Sequence, residues 1–226
     1  MKSFLRCAAA VFYKDLLSEL RRREYVNSLL FFSLLTIFLF SFAMGTEPDL
    51  LRKLAPGLYW MILIFSATLA LERSFFTELD AGCLDGLLLY STSLRAVFLG
   101  KWASNFFFIG MVQILVALMM TALYNLESPR NPPLFFAGLL LANIGISTLG
   151  TFYAALVTQS RARQVLLPLL LFPMLIPLLL GSVYVTEYAL SGDPFHQATL
   201  WLKLLVAYDS IFLAACFAAI EPLLEA

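Results

Sequence analysis

Four carboxylates, Glu72, Glu78, Asp80 and Asp85, are interleaved with Phe75, Gly82, Gly86 and a leucine run of Leu84, Leu87, Leu88 and Leu89. An acidic stretch with apolar side chains has the chemistry of a docking surface: the charge steers a basic partner and the leucines bury against it. The glycines permit a turn or a close backbone approach. A solvated connecting loop would use the same residue types, so both readings stand at this point. Asp209 is a different kind of acid. It lies inside an apolar run, between Tyr208 and Ser210, where an ionisable group is costly and marks a functional position by default. It reads as a coupling switch or a polar subunit contact, or else as a carboxyl turned into a bundle interior towards Asn143 or Gln113.

Enzymatic and metal chemistry have little to work with. His196, beside Asp193 and Pro194, is the one histidine, so no site with two histidine ligands can be built in one chain. Cys7, Cys83 and Cys216 are far apart and lack metal-ligand spacing; they read as small apolar fillers. The chain has no GxxxxGK[ST] phosphate loop and no HExxH motif. It is expected to be no enzyme by itself and to bind neither metal nor cofactor. Its 15 Lys and Arg balance 15 Asp and Glu, which gives no electrostatic footprint for nucleic acid.

The elements that must position these residues are membrane helices. The chain is 61% hydrophobic and 13% charged, with a mean hydropathy of +0.86, unlike an ordinary soluble domain. Its charge falls mostly between long apolar stretches, each able to cross a hydrocarbon core of about 30 Å as a helix. The reading is an all-α, polytopic, single transmembrane domain with six spans, at about 26–44, 56–71, 97–124, 134–158, 165–185 and 199–220. Residues 2–24 are too charged for a secretory signal and read as an amphipathic interfacial helix, with Phe4, Leu5, Ala8, Val11, Phe12, Leu16 and Leu20 at helical spacing. Pro56 is expected to open the second span, with Tyr59 and Trp60 at interface depth. The fourth span is rich in Gly and Ala and suits close helix packing. Pro168, Pro173 and Pro177 in the fifth predict a kinked or broken helix, either a flexing element or prolines that lipid-embedded neighbours tolerate. Phe31, Phe32 and Phe106 to Phe108 read as lipid-facing.

Orientation follows from the basic residues. With a cytoplasmic N-terminus, eleven Lys and Arg fall inside and four outside, namely Arg52, Lys53, Arg130 and Lys203. The positive-inside rule favours this arrangement. Both termini and segment 72–95 are then cytoplasmic in a multi-pass membrane protein.

Segment 72–95 also resembles a known family. Phe75-Phe76-Thr77-Glu78-Leu79-Asp80-Ala81-Gly82-Cys83-Leu84-Asp85-Gly86-Leu87-Leu88-Leu89 is similar to the acidic, glycine- and leucine-rich signature of CcmB, the membrane subunit of the cytochrome c maturation ABC transporter. Three further stretches resemble that family: Phe12 to Leu16 with Glu19 to Arg21, Leu54 to Trp60, and the proline-punctuated Leu166 to Pro177. The resemblance covers nearly the whole chain. Ala81 departs from the acid expected before the glycine, and Gly86 from a more usual polar residue. The resemblance implies an ABC-2-type permease architecture in the inner (cytoplasmic) membrane of a bacterium, and an acidic docking face for a separate ATPase subunit at Phe75, Glu78, Asp80, Gly82, Leu84, Asp85 and Leu88. It implies that ATP is bound by that partner and that heme is handled by the complex, either exported or released on a periplasmic chaperone. The implied partners are the ATPase, a heme-handling membrane protein, a small single-span subunit and a second copy of this chain. Asp209 and the flexing helix of Pro168, Pro173 and Pro177 would take part in coupling. Two alternatives remain on sequence grounds: an ABC-2-type permease for a lipid, polysaccharide or drug, and a passive assembly scaffold.

Overall fold

A computed structural model describes residues 2–22, 24–43, 48–80, 94–160, 162–193 and 196–224. Seven α-helices account for nearly all of them: α1 Lys2–Arg22, α2 Glu24–Ala43, α3 Pro48–Asp80, α4 Leu94–Tyr124, α5 Pro132–Leu156, α6 Arg163–Ser191 and α7 Ala198–Leu224, with a short 3-10 turn at Val157–Gln159. Five are long and apolar enough to cross a membrane: α3 over Leu50–Glu72, and α4 to α7. The described side chains of α2 form a shorter apolar run, Leu30–Ala43. The chain is thus an all-helical, multi-pass membrane protein.

The helix ends follow local chemistry. The Asn131 side chain accepts the Leu134 amide at 3.3 Å and Pro132 starts α5, a position where its missing N–H costs nothing. Asp193 accepts the amides of Gln197 and Ala198, both at 2.8 Å, and opens α7. Gly192 ends α6 with φ +98, and its N–H returns to the Tyr188 carbonyl at 3.0 Å, a conformation that favours glycine.

Several boundaries differ from the sequence reading. Pro56 lies inside α3, which begins at Pro48 and runs on to Asp80. The proline does not open the span because the preceding residues already form a helical turn. Leu51 and Ala55 are buried on that extension, and their packing stabilises it. At the other end the helix continues to Asp80, about 12 Å beyond Glu72 at 1.5 Å per residue. α6 is one unbroken helix through Pro168, Pro173 and Pro177 and extends to Ser191. The prolines leave it intact because α3, α5 and α7 pack along it, the setting in which membrane helices carry proline.

α3 and α5 form the centre. Their most apolar windows are 72% and 67% buried, against 33% or less for α4, α6 and α7. Tyr59 and Trp60, expected at interface depth, are buried in this centre: the Tyr59 hydroxyl donates to the Gln113 carbonyl at 3.1 Å and the Trp60 indole to Thr186 at 3.0 Å. A ladder of side-chain hydrogen bonds joins α4 to α5: Gln113 to the Leu139 carbonyl, Asn143 to the Phe106 carbonyl, Asn105 to Thr151 and Trp102 to Thr148. Such bonds hold helices together where lipid supplies no hydrophobic drive. The phenylalanine run is split: Phe107 faces outward, Phe108 is buried, and Phe106 stacks on Trp102 at 5.5 Å.

Candidate functional site

The acidic segment falls mostly outside the described residues. Phe75, Glu78 and Asp80 lie on the helical backbone at the end of α3, with their side chains outside the described set. Gly82, Leu84, Asp85 and Leu88 lie outside the described residues. The structure does define what flanks them. α3 carries the start of the segment along a helical extension, and α4 receives its end at Leu94.

The first turns of α4 are tied to both ends of the chain. Arg95 pairs with Glu221 near the end of α7, with Nη2 and Oε2 at 2.7 Å. Lys101, only 1% exposed, pairs with Asp15 of α1 at 3.2 Å, and Lys14 lies 3.3 Å from the same carboxylate. Gly100 permits the approach of α1, since a Cβ there would lie 2.6 Å from the Ala8 carbonyl and 2.7 Å from Val11. Phe12 meets Phe107 edge to face at 6.4 Å. Ala8 and Val11 are accordingly buried, while Leu5 of the same apolar stripe remains exposed. α1 is therefore docked on α4 by a buried ion pair and a close helix contact. Charge counting treats Lys101 as an ordinary basic flank, because its partner is remote in sequence. Its place in an apolar run was the available signal.

Asp209 is 6% exposed, in the middle of α7. Neither carboxylate oxygen has a hydrogen-bond partner among the described residues. The anticipated partners are engaged elsewhere: Asn143 donates to the Phe106 carbonyl and accepts from Ser147, and Gln113 donates to the Leu139 carbonyl. Asn143 thus reaches from α5 to α4, and Gln113 from α4 to α5. Asp209 instead sits against Gly145 of α5, where an added Cβ would lie 2.7 Å from its Oδ1 and 2.6 Å from Leu178 of α6. The neighbouring Tyr208 hydroxyl donates to the Met174 carbonyl of α6. The acid and the proline-bearing helix, separate features in the sequence, thus meet in one place. Pro173 and Pro177 flank Met174 and precede Leu178.

His196 lies at the opposite end of the bundle, exposed and at φ +53. No cluster of metal-ligating side chains is found among the described residues. Cys7 is half-buried and Cys216 buried, both as free thiols; Cys83 lies outside the described residues. Near His196, Tyr184 stacks on Trp201 at 4.6 Å and on Tyr188 at 6.3 Å. This aromatic group, drawn from α6 and α7, is of the kind that sits at a membrane–water interface. It went unread in the sequence because its members are separated by the loop before α7.

Comparison with known proteins gives these features a context. Residues 6–223 match the family model described as CcmB protein. A heme exporter protein B from Pseudomonas aeruginosa is 32% identical over 187 residues, covering 83% of this chain and 83% of the relative. Proteins of the same description from Haemophilus influenzae and Escherichia coli K12 are 32% and 31% identical; each alignment covers about four fifths of this chain, at 80% and 79% respectively. The match runs from α1 to the end of α7, and on that extent the chain belongs to the CcmB family.

Proposed function

We propose that this chain is the membrane subunit of a heme exporter in c-type cytochrome biogenesis. It couples ATP hydrolysis on a separate ATPase subunit to heme export or to release of a heme-loaded periplasmic chaperone. The observation that carries this reading is the family match over residues 6–223, joined to relatives described as heme exporter protein B over about four fifths of their length. The chain itself lacks a phosphate-binding loop, so ATP belongs to the partner and this subunit is non-catalytic.

The ATPase docks at Phe75, Glu78, Asp80, Gly82, Leu84, Asp85 and Leu88. The extension of α3 to Asp80 supports this, since it carries the acids clear of the apolar span. Movement of the segment reaches α4 directly, and through Arg95 and Lys101 it reaches α7 and α1. Asp209 and the prolines of α6 form the intramembrane part of the coupling path. α2 is the sixth crossing: Ser33 lies 3.1 Å from Ser66, and Ile37 accepts the Tyr124 hydroxyl at the far end of α4. Both termini are then cytoplasmic. Two copies, with a heme-handling membrane protein and a small single-span subunit, complete the assembly.

The test is purification of the tagged protein from native membranes in mild detergent, with mass spectrometry of what accompanies it. An ATPase and heme-handling membrane proteins are expected. Charge reversal at Glu78, Asp80 and Asp85 should release the ATPase while the protein stays inserted. Unchanged recovery of the ATPase would refute the docking assignment, and absence of heme-handling proteins would refute the heme-exporter reading.

A further inference from the structure

At the end of the bundle away from Arg95 and Lys101, α3, α4, α5 and α6 enclose a cavity of about 460 Å³. That is the size of a ligand site. Its walls are almost wholly apolar, and its polar groups are already committed. The Tyr59 hydroxyl donates to the Gln113 carbonyl, and Thr121 donates to the carbonyls of Ala117 and Leu118. Thr186 accepts the Trp60 indole and donates to the Ser182 carbonyl. These hydroxyl hydrogens are committed, so a ligand acceptor inside the cavity would go unpaired, and the remaining wall atoms are almost wholly apolar. The part of any occupant within the walls is therefore hydrocarbon.

The cavity opens sideways. Ile114, Leu118 and Phe136 line it and are 59%, 62% and 65% exposed, on helices long and apolar enough to span a membrane. Its mouth thus faces lipid tails. Its rim is polar: Glu127 and Ser128 border it, and Arg52 donates to the Asn125 carbonyl of the same loop at 3.4 Å. A hydrocarbon slot opening to lipid, bordered by the Glu127 carboxylate on a loop that also binds the Arg52 guanidinium, matches a molecule with an apolar tail and a zwitterionic head. We propose that this cavity is a lipid site, holding one acyl chain of a zwitterionic phospholipid against Tyr59 and Thr186. The assignment is independent of the exporter reading.

Trp60 supplies the test. It is 1% exposed and bonds to Thr186 on the cavity wall, so bulk lipid cannot touch it but a chain in the cavity comes close. A Trp102→Phe, Trp201→Phe variant leaves Trp60 as the sole tryptophan. In phosphatidylcholine vesicles with brominated acyl chains, its emission should be at least halved relative to unbrominated vesicles. Ala117→Phe, or independently Thr121→Phe, should fill the cavity and restore the emission. A companion with Trp201 alone reports lipid contact at the surface and should be quenched with or without the filling substitutions, which verifies insertion and folding of each variant. Trp60 emission that is unquenched, or quenched equally after both substitutions in variants whose Trp201 companion behaves normally, would overturn the proposal.

Discussion

Asp209 is the residue on which packing and function compete most directly. An unpaired buried polar group destabilises a fold by about 1–3 kcal/mol, and Asp209 has no partner among the described residues. A purely structural position would gain from an apolar replacement. Asp209→Leu is therefore expected to raise the unfolding midpoint of the purified protein while cutting the yield of c-type cytochrome at least tenfold in a complementation assay. A stabilised variant with full yield would remove Asp209 from the coupling path. Gly145 makes the complementary case. Gly145→Val places carbon within the space held by Asp209 and Leu178, and overpacking of this kind costs about 1–3 kcal/mol. Its unfolding midpoint should fall, and a midpoint equal to wild type would mean that the contact between α5 and α7 is looser than described. The acid was legible in the sequence as an anomaly within an apolar run. Its neighbours were not, because Gly145 and Leu178 are distant in the chain and carry no polar signal.

At the scale of elements, α1 is held to α4 by a contact that amphipathic periodicity did not reveal. The pattern predicts which face of α1 is apolar, and Ala8 and Val11 do lie on it. It does not say that this face meets Gly100 and that Asp15 meets Lys101. Removing one member of a buried pair leaves an uncompensated charge and costs about 3–5 kcal/mol. Asp15 is partly exposed, so Lys101→Met should cost less and loosen α1 rather than unfold the chain. Cys7, half-buried on α1, reports this directly. In a Cys83→Ala, Cys216→Ala background, maleimide labelling of Cys7 should accelerate several-fold in Lys101→Met and return towards wild type in the swapped pair Lys101→Asp, Asp15→Lys. Equal labelling rates in all three proteins would show that the ion pair does not hold α1. The link between Arg95 and Glu221 is more exposed, and a surface pair of this type contributes about 1 kcal/mol or less. Its removal should have little effect on stability.

For the whole molecule, orientation is the property on which every functional assignment depends. Ala162 and Glu127 are exposed at opposite ends of the bundle. In a cysteine-free background, Glu127→Cys should react with a membrane-impermeant maleimide in intact spheroplasts, and Ala162→Cys only after the membrane is opened. The reverse pattern would place the acidic segment on the periplasmic side and end the ATPase docking proposal.

The sequence by itself determined the membrane class, the helical architecture and the family, because the length of an apolar run and the order of short motifs are local properties of the chain. A run of about 20 apolar residues can satisfy its backbone in lipid only as a helix, whatever surrounds it. Tertiary structure decided which face of each helix turns inward. The spanning helices are apolar all round, and a lipid tail is as apolar as a protein interior, so hydrophobic periodicity carries little information about their rotation. The burial of Tyr59 and Trp60, the placement of Asp209 beside the α6 prolines, the clasp of α1 on α4 and the cavity walled by four helices were all set by packing among residues remote in sequence.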